Sequence, residues 1–225
     1  MYNQLVDLFM DFLYDFGIRL ARLQKKTSNK VVPMTTLNIP LLFQKRHILP
    51  TGRMPLYLST ITHSTTLKAI LLSKIGIGIC MFSNKSSQQR LYHIGTRVTI
   101  EDFNHEPSNH LITLHVYGQD PFKIATIEQD NNDIIWGKCQ QLPRWPQQEI
   151  TIEQQLLSTR LQLMFHKHPD LHKLHHQQEF DNLSWLCQRW LEILPVPTQE
   201  KQTLLNRPNC LHACDYLMSM IKTHH

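Results

Sequence analysis

The densest collection of side chains able to bind a metal or move a proton runs Phe165-His166-Lys167-His168-Pro169-Asp170-Leu171-His172-Lys173-Leu174-His175-His176. Four apart on a helix, His172 and His176 share a face and could hold zinc, with His168 or Asp170 as a third ligand. Pro169 interrupts a helix there, and the interspersed lysines oppose a dication, so a solvated loop and helix start is the favoured alternative. Cys210-x-His212-x-Cys214 is a second candidate set. Its two cysteines share a helical face while His212 points elsewhere, which favours buried thiols in a helical core. Trp136, Trp145, Trp185 and Trp190 would form a platform for bases only beside a basic groove. The basic residues are scattered apart from Gln24 to Lys30, so packing is the better account of the rings. No glycine-flanked serine elbow is present, and Gly76 and Gly78 lack the spacing of a phosphate cradle. The expectation is a chain with no catalytic, cofactor-binding or metal-binding residue, and with a binding site that the sequence does not locate.

The elements around these residues follow from periodicity. Thr96, Val98 and Ile100 alternate with Arg97, Thr99 and Glu101, and Ile112, Leu114 and Val116 alternate with Thr113 and His115. Period-2 patterns of this kind predict strands with one buried face. Asn104 to Asn109, Gly118-Gln119-Asp120-Pro121 and Asp130-Asn131-Asn132-Asp133 read as three turns, which predicts an antiparallel meander between His93 and Pro143. Upstream, Asn38 to Phe43 is a strand, Pro50 and Gly52 make a tight reversal, and Pro55 suits the start or the edge of a strand. Thr65 to Ser73 reads as a helix with Leu67, Ile70 and Leu71 inward. Ile75 to Phe82 is an apolar strand whose two glycines mark close backbone approach. Beyond Pro143 helices take over. The first spans Thr151 to His166 on Ile152, Leu156, Leu157, Leu161, Met164 and Phe165. Asp181 or Asn182 caps the second, Thr198 caps the third, and Asn209 starts the fourth, with Cys210, Cys214, Leu217 and Ile221 inward.

Composition bounds the remaining choices. With 225 residues and 41% hydrophobic content the chain can bury a sizeable core, in one domain or two small ones. A net charge of +5 is too weak by itself to announce nucleic-acid binding. Five cysteines, an odd number without close CxxC pairs, suit reduced thiols in a cytoplasmic protein, and no apolar run is long enough to span a membrane. Residues 1–33 are separate in character. Leu5, Phe9, Phe12, Phe16, Leu20 and Leu23 form an amphipathic stripe, and a basic linker follows. This stretch is either an added helix that docks on the domain or a partner, or a segment outside the folded unit. A family resemblance carried by the stretches from Ile39 onward implies Met34 as the start of the domain proper.

Several of these stretches resemble one family. Ile39-Pro40-Leu41 and Ile48-Leu49-Pro50-Thr51-Gly52-Arg53-Met54-Pro55-Leu56 come first, then Ile94-Gly95-Thr96 with Ile100 and Phe103. Gly118, Phe122-Lys123-Ile124, Gln129-Asp130 and Leu142-Pro143 follow, and last the run from Trp190 to Leu205 with its Leu194-Pro195-Val196-Pro197 break. In order and spacing, over most of Leu37 to Ile221, these look like the amino-terminal domain of Lon proteases. Pro121 stands where the family usually carries arginine. Leu58 to His63 replaces its phenylalanine-glutamate-proline-arginine-tyrosine run.

The resemblance implies an α+β fold: a bent, barrel-like antiparallel sheet related to PUA domains over residues 34–146, then a helical bundle over 147–225, while the amphipathic helix of 1–33 that precedes them is read from its spacing alone. It also implies a non-enzymatic module, standing without ATPase or protease domains, that recognises protein substrates as an adaptor in protein quality control. Its expected partners are unfolded or exposed polypeptide segments, with a protease or a chaperone as a second class. An RNA-binding PUA-like module is the alternative. A continuous basic face on the sheet would favour RNA, and a mixed apolar groove would favour peptide. A histidine-bound metal enzyme is a third class.

Overall fold

Strands dominate the first half of the chain and helices the second in the computed structural model, which describes residues 36–61, 63–83, 90–106, 108, 110–175 and 177–223. The order is β1 (Thr36–Gln44), β2 (Arg53–Ser59), α1 (Ser64–Leu72), β3 (Ile77–Ser83), β4 (Arg90–Glu106), β5 (Leu111–Gln129) and β6 (Ile135–Gln141). A 3-10 turn (Ile152–Gln154) leads into α2 (Gln155–Lys167), followed by α3 (Pro169–Leu174), α4 (Leu183–Ile193), α5 (Thr198–Leu205) and α6 (Leu211–Thr223). The expected amphipathic helix of residues 1–33 and the Met34 boundary lie outside the described residues.

The six strands run β2-β5-β4-β3-β1-β6, and a further pairing of β5 with β6 closes the sheet on itself. Closure pairs both edges of each strand in the ring, while β2, paired only with β5 among the described residues, keeps one edge open there. One pair departs from the expected antiparallel pattern. β1 and β3 run parallel, because β2 and α1 intervene and supply the long crossover that a parallel pair requires.

The turn expected at Gly118 to Pro121 is absent: β5 runs unbroken for 19 residues. Its first half pairs with β2 and its second with β6, so this point is a change of partner within one strand. Pro121 has no N–H to offer, and it sits opposite Thr96 of β4 while its carbonyl accepts from the Leu142 N–H at 2.9 Å. It is therefore not at a sheet edge. Gly118 is needed for contact, since a Cβ there would run into the Leu49 carbonyl. Register shifts at Thr96/Val98, Ile100/Asp102 and Ile124/Thr126 bend the long strands enough to close the barrel.

Other expectations for this half hold. β4 and β5 form the expected hairpin, and Asp130 to Asp133 is a turn closed by Asp130 N–H to the Ile134 carbonyl at 3.0 Å. Gly76, at φ 98°, abuts the Val98 carbonyl, and a Cβ on Gly78 would lie 2.6 Å from Leu41 and 2.7 Å from Phe122.

Among the described residues the core falls into three apolar clusters. Two lie within the sheet half, one centred on Leu56, Ile79, Val98 and Leu114 and one on Ile39, Phe122 and Cys139. The third is helical, built from Leu157, Leu161, Phe165, Leu186, Trp190 and Leu217 among others. Leu49, from the β1–β2 connection, belongs to that helical cluster. Helix boundaries follow local chemistry. Thr151 and Gln154 form a reciprocal capping box, and the Asn182 side chain accepts from the Ser184 N–H at the start of α4. Ile152, expected inward, is 93% exposed, because it falls in the 3-10 turn ahead of the regular helix. Thr198 is the first residue of α5 and not its cap, a place taken by Pro197.

Candidate functional site

The β1–β2 connection meets α4 through a buried polar network. Arg189, fully buried on α4, donates from Nη2 to the Pro50 carbonyl at 2.9 Å and to Glu192 Oε1 at 3.1 Å. Its Nε lies 2.9 Å from Glu192 Oε2, an ion pair too bent to be a hydrogen bond, and its Nη1 meets no acceptor among the described residues. Glu192 accepts from the Leu49 N–H at 2.6 Å. Gly52 completes the fit: a Cβ there would collide with Glu192 Oε1 and lie 2.8 Å from Arg189 Nη2. His47 Nε2 is 3.0 Å from the Leu191 carbonyl and 3.1 Å from Lys201 Nζ. One ring nitrogen cannot donate to that carbonyl and accept from an ammonium at once, so the two contacts require different tautomers of the ring.

Burial dominates the electrostatics here. It pushes Glu192 up to about 7 against the pull of Arg189. It lowers Lys201 to about 8 and, with help from Lys201, lowers His47 to about 3. Nearby, the Gln202 amide reads both main-chain groups of Ile94, accepting at 2.9 Å and donating at 2.8 Å. The void between these layers, near Pro50, Ile94 and Gln188, has about 30 Å³. That is room for about one water. The junction is a fastening and leaves no room for a larger ligand.

A groove of about 1240 Å³ lies between the outer face of the sheet and α2–α3. Arg53, Pro55 and Tyr57 of β2 and His115 of β5 line one side. Met164, Leu171 and Leu174 line the other. Its charges are balanced: Arg46, Arg53 and Lys173 against Glu101, Asp102 and Asp170. Arg53 is also spoken for, paired with both Glu101 oxygens at 2.7 and 2.9 Å and stacked 4.6 Å over the Tyr117 ring. Tyr57, 61% exposed, stands in the groove beside the open edge of β2. A mixed apolar trough bordered by unpaired main chain suits an extended segment of polypeptide.

The residues singled out by type and spacing fall elsewhere. His168, Asp170 and His172 are exposed, and His176 lies outside the described residues. His175, by contrast, is buried, its ring 5.4 Å from Phe165 and 6.3 Å from Trp185 in an aromatic cluster with Phe180. Among the described residues no group of three His, Cys, Asp or Glu is placed to hold a metal. Cys210 and Cys214 are buried and His212 is exposed. Cys187 joins them from α4, and its hydrogen bonds lower Cys210 to about 7. The tryptophans form no platform. Trp136 donates to Asp130, Trp145 to the Arg207 carbonyl and Trp190 to the Leu157 carbonyl, while Trp185 is buried. The Arg189–Glu192 junction escaped sequence reading, since one arginine three residues before a glutamate looks like an exposed helix pair.

Comparison with known proteins agrees with this architecture. Residues 38–223 match the family model of the ATP-dependent protease La (Lon) substrate-binding domain, and the chain belongs to that family. A Lon amino-terminal domain protein from Xanthomonas campestris superposes with a TM-score of 0.64 at 19% identity, covering 81% of this chain and 98% of its own. The amino-terminal domain of a Mycobacterium avium complex Lon protease gives 0.57 at 16% identity, covering 84% and 100%. No curated protein sequence matches significantly. No helix among the described residues is long and apolar enough to cross a membrane.

Proposed function

We propose that this protein is a non-catalytic recognition module that holds exposed, extended segments of other polypeptides in the groove between β2 and α2–α3, as an adaptor in protein quality control. The observation that carries the reading is the groove itself, an apolar-lined trough with three cations against three carboxylates. The family supports it, being described by substrate binding. A small transient interface of this kind gives affinity near the micromolar range, about 8 kcal/mol. In this reading the bound segment is held and released uncut. The module serves in the cytoplasm, handing what it holds to a protease or chaperone.

RNA is the rival ligand. The observation on its side is a cleft of about 490 Å³ lined by His93, Lys123 and Arg207 with no carboxylate. Two cations are too few for a strand, and Tyr92 there is 9% exposed, too buried to stack a base. The test titrates a fluorescent unfolded peptide and a single-stranded RNA at about 50 and 200 mM salt, over which phosphate contacts lose orders of magnitude in affinity. Peptide binding that holds across both salts supports the proposal. Salt-sensitive RNA binding with no peptide signal would replace it. A parallel assay should show no ATP hydrolysis and no casein cleavage; cleavage abolished by a point mutation in this chain would refute the non-catalytic reading.

A further inference from the structure

The hydrogen-bond parity of β2 shows which of its main-chain groups are free. At one end the Gly118 N–H donates to the Gly52 carbonyl at 2.8 Å, and at the other the Thr60 N–H donates to the His110 carbonyl at 2.9 Å. With Arg53 opposite Tyr117 and Ser59 opposite Leu111, the residues that exchange bonds with β5 are Met54, Leu56 and Leu58. Arg53, Pro55, Tyr57 and Ser59 turn their main chain away from the sheet. Ser59 is already closed: its carbonyl accepts from the His63 N–H at 2.9 Å, and its N–H donates to His63 Nδ1 at 3.2 Å. Pro55 has no N–H. The open edge is thus confined to Arg53–Tyr57, with N–H and C=O free at each end and one carbonyl between. None of these groups meets a partner among the described residues.

Resting on the reading of the groove as a polypeptide site, we infer that the bound segment is an uncharged, proline-free stretch of another protein, added to β2 as a further strand along Arg53–Tyr57. Residues of the added strand that bond to Arg53, Pro55 and Tyr57 lie directly opposite them and share their face of the sheet. That face floors the groove, so these same residues place their side chains against Tyr57 and toward Met164, Leu171 and Leu174. Backbone pairing and side-chain choice are therefore linked: the residues whose N–H groups bond are the ones that must be apolar. The residues between them can be polar. A charged segment gains nothing, because the groove's charges cancel and Arg53 is taken by Glu101.

The test uses a short fluorescein-labelled peptide of alternating valine and threonine, in three forms: unmodified, N-methylated at every threonine, and N-methylated at every valine. Threonine methylation should leave affinity within about threefold, whereas valine methylation should weaken it at least about tenfold by removing the bonding donors. On the protein side, Tyr57→Pro deletes an edge N–H that plays no part in the β5 ladder, and Tyr57→Ala controls for the ring. Tyr57→Pro should bind at least about tenfold more weakly than Tyr57→Ala at similar melting temperature. Should Tyr57→Pro misfold, the methylated peptides decide the matter on the unaltered protein. Equal binding of all three peptides would overturn strand addition while leaving the polypeptide-binding reading in place. No binding of the unmodified peptide, nor of a denatured protein, would remove both. A concentration-dependent dimer abolished by Tyr57→Pro would assign the edge to a second copy of this chain and overturn the inference.

Discussion

Arg189 and Glu192 form a pair whose value lies in being complete. Burying two charges costs more than their attraction returns unless each is well bonded, and removing one partner strands the other. Glu192→Ala should therefore destabilise the protein by about 3–5 kcal/mol, read from urea denaturation, because the buried Arg189 guanidinium and the Leu49 N–H both lose their acceptor. Gly52→Ala should cost about 1–3 kcal/mol through collision with the same pair. His47 carries a pH signature. Its folded value of about 3 lies below the ordinary 6.5, so the unfolded chain binds the extra proton and stability falls as pH drops from 6.5 toward 3. Glu192 acts oppositely, since its raised value makes stability fall as pH rises from 4.5 to about 7. The two overlap, so the isolating measurement is wild type minus His47→Gln. That difference should shrink on acidification by at most about 1.4 kcal/mol per pH unit. A pH-independent difference would show that His47 titrates normally. At this scale the sequence was nearly mute, because burial decides these roles and no local pattern announces burial of an isolated charge.

Elements were far more legible, and the failures have a common cause. The strands and helices with clear periodicity, β3, β4, α4 and α6, stand where alternation and 3.6-residue spacing put them. Gly118-Gln119-Asp120-Pro121 reads as a turn in any local scheme, yet β5 passes straight through it. Turn chemistry was outvoted by long-range pairing with β4, and the glycine and proline were needed for the approach of Leu49 and the change of partner. Pro55, read as an edge residue, is one, because β2 is the strand that closure leaves out. A cap is a cleaner case of local control. Asn182→Ala should lower stability by about 1 kcal/mol, seen as a lower midpoint with unchanged slope. No change would mean that the adjoining Leu183 N–H to Gln148 carbonyl bond, at 2.7 Å, starts the helix unaided.

The two halves of the molecule share packing and hydrogen bonds across their junction. Leu49 is packed in the helical cluster, Arg189 grips Pro50, and Gln202 holds Ile94 in the sheet. Thermal unfolding followed by far-ultraviolet dichroism and by tryptophan fluorescence should therefore superimpose as one transition. Separate midpoints would make residues 34–146 and 147–225 independent units. The groove could not be located from sequence because its two banks lie about a hundred residues apart, β2 on one side and α2–α3 on the other. The buried cysteines extend the argument to chemical kinetics. Cys80 and Cys139 sit in the sheet half and Cys187, Cys210 and Cys214 among the helices, all of them free and buried. A thiol-reactive reagent added to the native protein can reach none of them until the chain opens, so the mass gained with time is a clock for opening, read separately in each half. If the halves open as one, every cysteine acquires its label on the same schedule.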